Sequence, residues 1–231
     1  MKVRELLYNV TKKLDECKIE NASYEAKEIT ASCLEIKVSD LLFLQNDNCP
    51  DSAKKKTTEY VQRRANGEPL QYILGEWTFC SLPFKVGKGV LIPRIETEFI
   101  VYQANSFLKG KKDRIIFDLC SGSGCIGISV AVNNPGCEVY LLDISPDALS
   151  YAEKNVLLNG VKNVTIFKYD ISDGYKSEIL PAPDIILSNP PYIRSDEIAS
   201  LQPEVLREPV LALDGGDDGL DFYKILAEKW L

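Results

Sequence analysis

Ile115-Ile116-Phe117-Asp118-Leu119-Cys120-Ser121-Gly122-Ser123-Gly124 is where the pattern of the chain changes, and the fold is read outward from it. Ile115 to Leu119 is a short apolar run of buried-strand length. Ser121 to Gly124 reads as a tight loop, and Cys125 to Val132 as the helix it feeds. The alternation then repeats. Val139 to Asp143 is a second strand, followed by a helix with Ser145 at N-cap and Pro146 at N1 that ends at Asn159-Gly160. Val164 to Lys168 is a third strand, leading to Asp170, and Asp184 to Leu187 a fourth. Strands alternating with helices predict a parallel sheet of α/β class.

Upstream the period is helical. Val3, Leu6, Leu7, Val10 and Leu14 form an i, i+3, i+4, i+7 stripe over 3–19. Further helices are expected over 22–36, over 39–44 with Ser39 as N-cap, and from Pro50 through Lys54-Lys55-Lys56 to Arg63-Arg64. The basic cluster on that last helix is expected to be a solvated face, with a docking patch for a partner as the sharper alternative. Trp77 to Cys80 and Leu82 to Val86 alternate as two short strands around a turn. Glu96-Thr97-Glu98 opens an amphipathic helix to Leu108. The resulting division is a helical domain over 1–75, a β-hairpin linker over 76–92, and an α/β domain over 93–231.

Composition excludes several classes. The 231 residues contain no histidine, which removes Ser-His-Asp chemistry and histidine metal sites. The seven cysteines include no Cys-x-x-Cys pair, so neither a disulfide framework nor a zinc site is expected. No metal is expected at all. A net charge of −7 argues against broad affinity for nucleic acid. The acidity is concentrated: residues 1–88 carry 14 Lys and Arg against 13 Asp and Glu, leaving 13 against 21 in 89–231. No apolar run is long enough to span a membrane, and a cytoplasmic location is expected.

The fourth strand runs into Ser188-Asn189-Pro190-Pro191-Tyr192. Two prolines force an extended backbone and remove two N–H donors. Asn189 is thereby held at a strand end, with an aromatic ring three residues on, an arrangement suited to a flat NH2 group. Asp118, Asp143, Asp170 and Asn189 fall at the carboxyl ends of four successive strands, the edge where open α/β sheets bind ligands. Gly122-x-Gly124-x-x-Gly127 matches a dinucleotide fingerprint, with Asp143 as the ribose acid. Asp118 just ahead of the loop would repel a pyrophosphate, whereas S-adenosylmethionine carries an ammonium and a sulfonium that carboxylates favour. In that reading Asp118 and the loop Cys120, Ser121, Gly122, Ser123 and Gly124 hold the methionine end. Asp143 takes the ribose hydroxyls, Asp170 accepts from the adenine amine, and Ile171 gives the ring an apolar wall. The Asn189 oxygen and the Pro190 carbonyl each accept one N–H of the substrate, and Tyr192 stacks on it for in-line methyl transfer.

The chain resembles the peptide chain release factor N5-glutamine methyltransferases (the PrmC/HemK family). The resemblance is carried by Gly67-Glu68-Pro69-Leu70-Gln71-Tyr72-Ile73-Leu74-Gly75, Leu91-Ile92-Pro93-Arg94 with Thr97-Glu98, the Asp118 loop, Asn189-Pro190-Pro191-Tyr192, and Gly215-Gly216-Asp217-Asp218-Gly219-Leu220. It implies a Rossmann-like methyltransferase domain using S-adenosylmethionine. It also implies, as substrate, the glutamine of the Gly-Gly-Gln loop in class I release factors, with the helical domain helping to hold that partner.

Three departures stand out. Cys120 replaces the first loop glycine, which a small side chain tolerates if its φ is negative. Ile95-Glu96 replaces Pro-Asp. The family's sheet continues with three more strands, so the fourth strand is expected to be an open apolar edge, from a fragment or one covered by a partner or second copy. The alternatives to the family reading are an adenine-N6 methyltransferase acting on DNA or ribosomal RNA, and an inactive chain that only binds partners. An NAD-dependent oxidoreductase is the most distant, lacking an acid–base group for hydride transfer.

Overall fold

Residues 1–231 are described by a computed structural model, in which the chain divides into two compact units, Met1–Leu74 and Gly75–Leu231. In the first unit the apolar stripe of α1 (Val3–Glu16) buries Val3, Leu6, Val10 and Leu14. These side chains meet α2 (Ala22–Leu34) and α4 (Asp51–Ala65), with α3 (Leu41–Leu44) and α5 (Leu70–Leu74) as short connecting turns. Ser39 does not cap a helix. It lies inside a 3-10 turn, Val38–Asp40, and its hydroxyl bonds the Asp40 carboxylate instead of a backbone N–H.

The basic helix α4 departs from the expected solvated face at its C-terminal end. Arg64 is buried and forms a two-pronged pair with Glu25 of α2, at 2.6 and 3.1 Å. Arg63 grips Glu68 through both carboxylate oxygens. Of the three lysines Lys55 is exposed, whereas Lys54, bonded to Asp51, and Lys56 are half-buried.

The second unit begins with a hairpin, β1 (Glu76–Phe79) and β2 (Leu82–Lys85), paired antiparallel with Phe79 opposite Leu82. Its two-residue turn, Cys80-Ser81, has φ of 49° and 62°, the doubly left-handed geometry that matches strand twist. Phe79 and Phe84 drop into the core of this unit in an edge-to-face pair. The hairpin residues 76–92 thus pack as part of the α/β unit.

Helix α6 (Glu98–Leu108) follows, and then strands β3 (Ile115–Leu119), β4 (Glu138–Asp143), β5 (Val164–Lys168) and β6 (Ile185–Ser188) alternate with α7 (Cys125–Asn133) and α8 (Pro146–Asn159). Ser145 caps α8 by accepting from the Ala148 N–H, with Pro146 at the first helical position. The sheet is all parallel in the order β5-β4-β3-β6, and Leu119 stands level with Leu142 and Ser188. Alternate residues of β3 serve two cores. Ile116 joins the layer of α6 and α7, while Phe117 and Leu119 join an aromatic cluster with Tyr169 and Trp230. Helix α9 (Asp221–Lys229) closes that second face, where Trp230 donates its indole N–H to the Ile171 carbonyl at 2.8 Å. Strand β6 is hydrogen-bonded on one side only, leaving the other edge open as expected. No helix is long and apolar enough to cross a membrane.

Truncating one member of a buried ion pair strands the other charge, at a cost of about 3 kcal/mol. Glu25→Ala is therefore expected to lower the unfolding free energy of the first unit by about that amount, whereas Lys55→Ala leaves it unchanged. Urea titration followed by circular dichroism checks both.

Candidate active site

The parallel register brings the loops after β3, β4, β5 and β6 to one edge of the sheet. The loop after β3 is shaped by two glycines that no other residue replaces: a Cβ on Gly124 would lie 2.9 Å from Ile128 and Leu141, and one on Gly127 would lie 2.3 Å from Leu141. Cys120 has φ +56°, not the negative value expected, so a side chain occupies the left-handed region there. Ser121 N–H donates to the Leu142 carbonyl and Gly124 N–H to Ser121, which holds the turn closed.

Asp143 ties this loop to the next. Its Oδ2 accepts from the Gly122 N–H at 2.8 Å and its Oδ1 from the Ser145 N–H at 2.9 Å. Burial nonetheless holds its carboxyl above the ordinary range, the two backbone bonds pulling it back only in part. Asp170 sits oppositely. Ser172 bonds its carboxylate through side chain and backbone, which holds it below the ordinary range. Asp170 does cap the 3-10 turn Ile171–Asp173, accepting the Ser172 N–H at 2.8 Å.

Along this edge lies a cavity of about 730 Å³. Cys120, Ser121, Gly122, Ser123, Asp143 and Ile144 line one part of it; Asp170, Ile171, Asn189 and Pro191 line another. Gly124 and Pro190 stand behind the wall. Tyr192 is not in the wall either, and at 56 % exposure it stands outside the cavity. Asp118 departs most from its expected place. It lies one residue inside β3, faces α7 and is 0 % exposed, because the alternation of the strand turns it away from the ligand edge. Its Oδ2 accepts from the Gly127 N–H at 2.8 Å and its Oδ1 has no partner. Burial pushes this carboxyl up to about 7, against the pull of the Gly127 N–H and with a small further push from Asp143.

Several contributors to the wall carried no role in the sequence reading. Thr97 is buried beside Asn189 and accepts its Nδ2 at 3.2 Å, leaving the Asn189 oxygen as that group's open acceptor. Residues 205–214 run along the cavity as a strap, contributing Pro209, Val210, Leu211 and Ala212. Glu208, 2 % exposed at its side chain, pins the strap by pairing with Arg94 and accepting the Ile92 N–H. The other end of the strap is bridged to Ile193. Gly215 and Gly219 lie against the backbone of Tyr192, where a Cβ would sit 2.7 Å from its Cα and 2.5 Å from its carbonyl oxygen. The spacing Gly-Gly-x-x-Gly was the available signal for this buttress.

Comparison with known proteins follows this geometry. Residues 5–75 match the family described as PrmC N-terminal domain, and residues 97–216 match the methyltransferase small domain. A release factor glutamine methyltransferase of Thermodesulfovibrio yellowstonii is 40% identical over 214 residues, 90% of this chain and 75% of the relative. The chain belongs to the release factor glutamine methyltransferase family. A second relative of that name, from Fusobacterium nucleatum, is 36% identical over 91% of this chain, which spans 59% of the relative's length. Among solved structures, the hMettl16 catalytic domain in complex with the MAT2A 3′UTR hairpin 6 superposes with a TM-score of 0.50 at 16% identity, covering 78% of this chain and 62% of that one, a likeness of fold. The methyltransferase class, the Rossmann-like fold after a helical N-terminal domain, and S-adenosylmethionine as cofactor stand with that family membership.

The cavity chemistry suits that cofactor. Asp143, Asp170, Asp214 and Asp221 line the cavity against one cation, Arg94, which Glu208 already neutralises. The Gly122 N–H that a phosphate would need is taken by Asp143. Ser121 adds a buried hydroxyl without a partner. An anionic dinucleotide is disfavoured by the carboxylates and by the occupied Gly122 N–H, and a ligand bearing ammonium and sulfonium charges is favoured. No group of three or more Cys, Asp or Glu side chains is arranged to hold a metal ion.

Two expectations can be measured. Asp118 titrates near 3.8 when unfolded and near 7 when folded, so between these values the folded chain holds a proton that the unfolded chain lacks. Its contribution to stability is present below the unfolded value and is lost as pH rises through 7. Asp118→Asn removes that slope, so its stability relative to the parent chain should rise between pH 4.5 and 7.5 in urea unfolding. At Cys120, a left-handed φ costs about 1 kcal/mol for a residue with a Cβ and more for a β-branched one. Cys120→Gly should therefore keep the melting temperature, while Cys120→Val lowers it by several degrees.

Proposed function

We propose that the second unit transfers a methyl group to the side-chain amide nitrogen of a glutamine, that of the Gly-Gly-Gln motif in class I peptide chain release factors. The observation that carries this reading is the presence, in one cavity, of the carboxylates of Asp143 and Asp170 together with the open amide oxygen of Asn189.

S-adenosylmethionine, when bound, supplies an electrophilic methyl group on a positively charged sulfur. The loop Cys120, Ser121, Gly122, Ser123 and Gly124 holds the methionine end, with Asp118 acting from behind the loop. Asp143 holds the ribose hydroxyls through lone pairs not used by Gly122 and Ser145. Asp170 accepts from the adenine amine, against the wall formed by Ile171.

The substrate nitrogen is a poor nucleophile because its lone pair is delocalised into the carbonyl. Asn189 Oδ1 and the Pro190 carbonyl accept its two N–H groups, which orients the nitrogen and draws electron density onto it. Pro191 stiffens the segment. Tyr192, at the mouth, supplies the aromatic face for the incoming carboxamide. No histidine base takes part; the proton leaves a nitrogen made acidic by methylation. Orientation is the main catalytic contribution and is worth several kcal/mol. The helical unit Met1–Leu74 helps hold the release factor in the cytosol, the unit Gly75–Leu231, hairpin included, carries the reaction, and the lysines of α4 are the basic surface for such contact.

One incubation with methyl-labelled S-adenosylmethionine, a class I release factor and an adenine-containing oligonucleotide tests the reading. Label on the Gly-Gly-Gln glutamine is the expected result. Label on the oligonucleotide would replace it with the base-methylating alternative, and binding of cofactor with no label on either would leave a chain that binds partners only. Asn189→Ala should lower transfer at least about a hundredfold, the loss seen when a positioned polar group is removed from a reacting centre, while cofactor affinity measured by calorimetry changes little. Equal loss of both would show that the amide pocket is misassigned.

A further inference from the structure

We infer that Thr97 is a positioning residue that anchors the Asn189 amide with its NH2 inward and its oxygen toward the substrate, an inference that rests on the role given to Asn189 above. The two ends of an asparagine amide are nearly the same size and differ only in hydrogen bonding. The reaction needs the oxygen outward, since an outward NH2 would meet the substrate NH2 donor to donor.

The backbone around Asn189 is rigid. β6 precedes it and Pro190-Pro191 follows. What stays soft is the terminal torsion of the side chain, which is broad and two-fold for an amide. The contact that holds this torsion is the 3.2 Å bond from Asn189 Nδ2 to Thr97 Oγ1, across 92 residues of chain. Both side chains line the cavity, and Thr97 itself is buried.

Thr97 is in turn fixed. It ends the 3-10 turn Ile95–Thr97, and its N–H donates to the Arg94 carbonyl at 3.0 Å. Arg94 is held by Glu208, which also receives the Ile92 N–H. The hydroxyl is therefore presented from a braced wall, not from a mobile loop. Here the hydroxyl accepts the inward NH2, and its removal leaves that NH2 without a bond on this side and frees the amide to turn.

The test uses Thr97→Val, which keeps the shape and removes the hydroxyl, and Thr97→Ser, which restores it. In the parent chain, labelled with 15N, the Asn189 side-chain amide is assigned by its loss in Asn189→Ala, and one of its protons should exchange slowly with solvent. Valine should abolish that protection and serine should keep it. In methyl transfer, valine should lower kcat about tenfold, a barrier change of about 1.4 kcal/mol, with cofactor affinity and release factor KM within about twofold of the parent. Serine should recover kcat to within about threefold. A valine variant with parental kcat and amide exchange overturns the inference. So does serine falling as far as valine, which would mark a packing role, or cofactor affinity falling in step with kcat. If the parent chain labels no release factor, the functional reading fails by itself, and unchanged Asn189 exchange in the valine variant still overturns the inference.

Discussion

Both oxygens of Asp143 accept backbone N–H groups from two different loops, and the rest of the ligand edge depends on that double bond. The parallel register, Leu119 beside Leu142, brings the loop after β3 within reach of the end of β4. Once the Gly122 and Ser121 N–H groups are both satisfied from β4, the loop has little freedom left. That over-determination explains how Cys120 persists at a φ of +56°. Strain of this kind survives where the surrounding bonds fix the backbone regardless of the residue's own preference. The glycines at 124 and 127 pack in the same region, where an added Cβ would meet the terminal methyls of Ile128 and Leu141.

The electrostatic character of the cavity follows from the same framework. Asp118 is sealed behind the loop with one unpartnered oxygen, and Asp143 is mostly buried at the loop's front. Two carboxyls held above their ordinary range on either side of one loop favour a positive charge there, because a cation would stabilise the charged form of each. Asp170 differs because it is near solvent and bonded by Ser172, so it stays ionised without help.

Much of this was legible in the sequence, and the reasons for the exceptions are physical. The four strands, their helices and the Ser145-Pro146 cap follow local rules that the tertiary structure only reinforces. The loop residues, Asp143, Asp170, Ile171 and Asn189 could be placed at the ligand edge because each sits just past a strand that periodicity locates. Asp118 was misjudged because it is still inside its strand, where a shift of one residue turns a side chain to the opposite face. The sign of φ at Cys120 cannot be read from a residue type that so seldom takes that conformation. The burial of Arg64 is set by Glu25, 39 residues away, and no local pattern on α4 reveals it. Thr97 and Glu208 were similarly hidden, since their roles exist only through contacts 92 and 114 residues away.

The two halves of the cavity rest on different supports. The acidic half is built on the sheet: loops after β3, β4 and β5, locked by register and by backbone bonds to carboxylates. The amide half is built off the sheet, from the segment 92–97, the residues after β6, and the strap 205–214 with its glycine buttress. Its connections are long in sequence: Glu208 to Arg94 and Ile92, Asn189 to Thr97, and the residues after β6 to the strap and its glycines through Ile193 and Ser195. Ties of this kind close large loops. Glu208, buried and bonded at once to the Ile92 N–H and the Arg94 side chain, is the point that joins the strap to the segment 92–97.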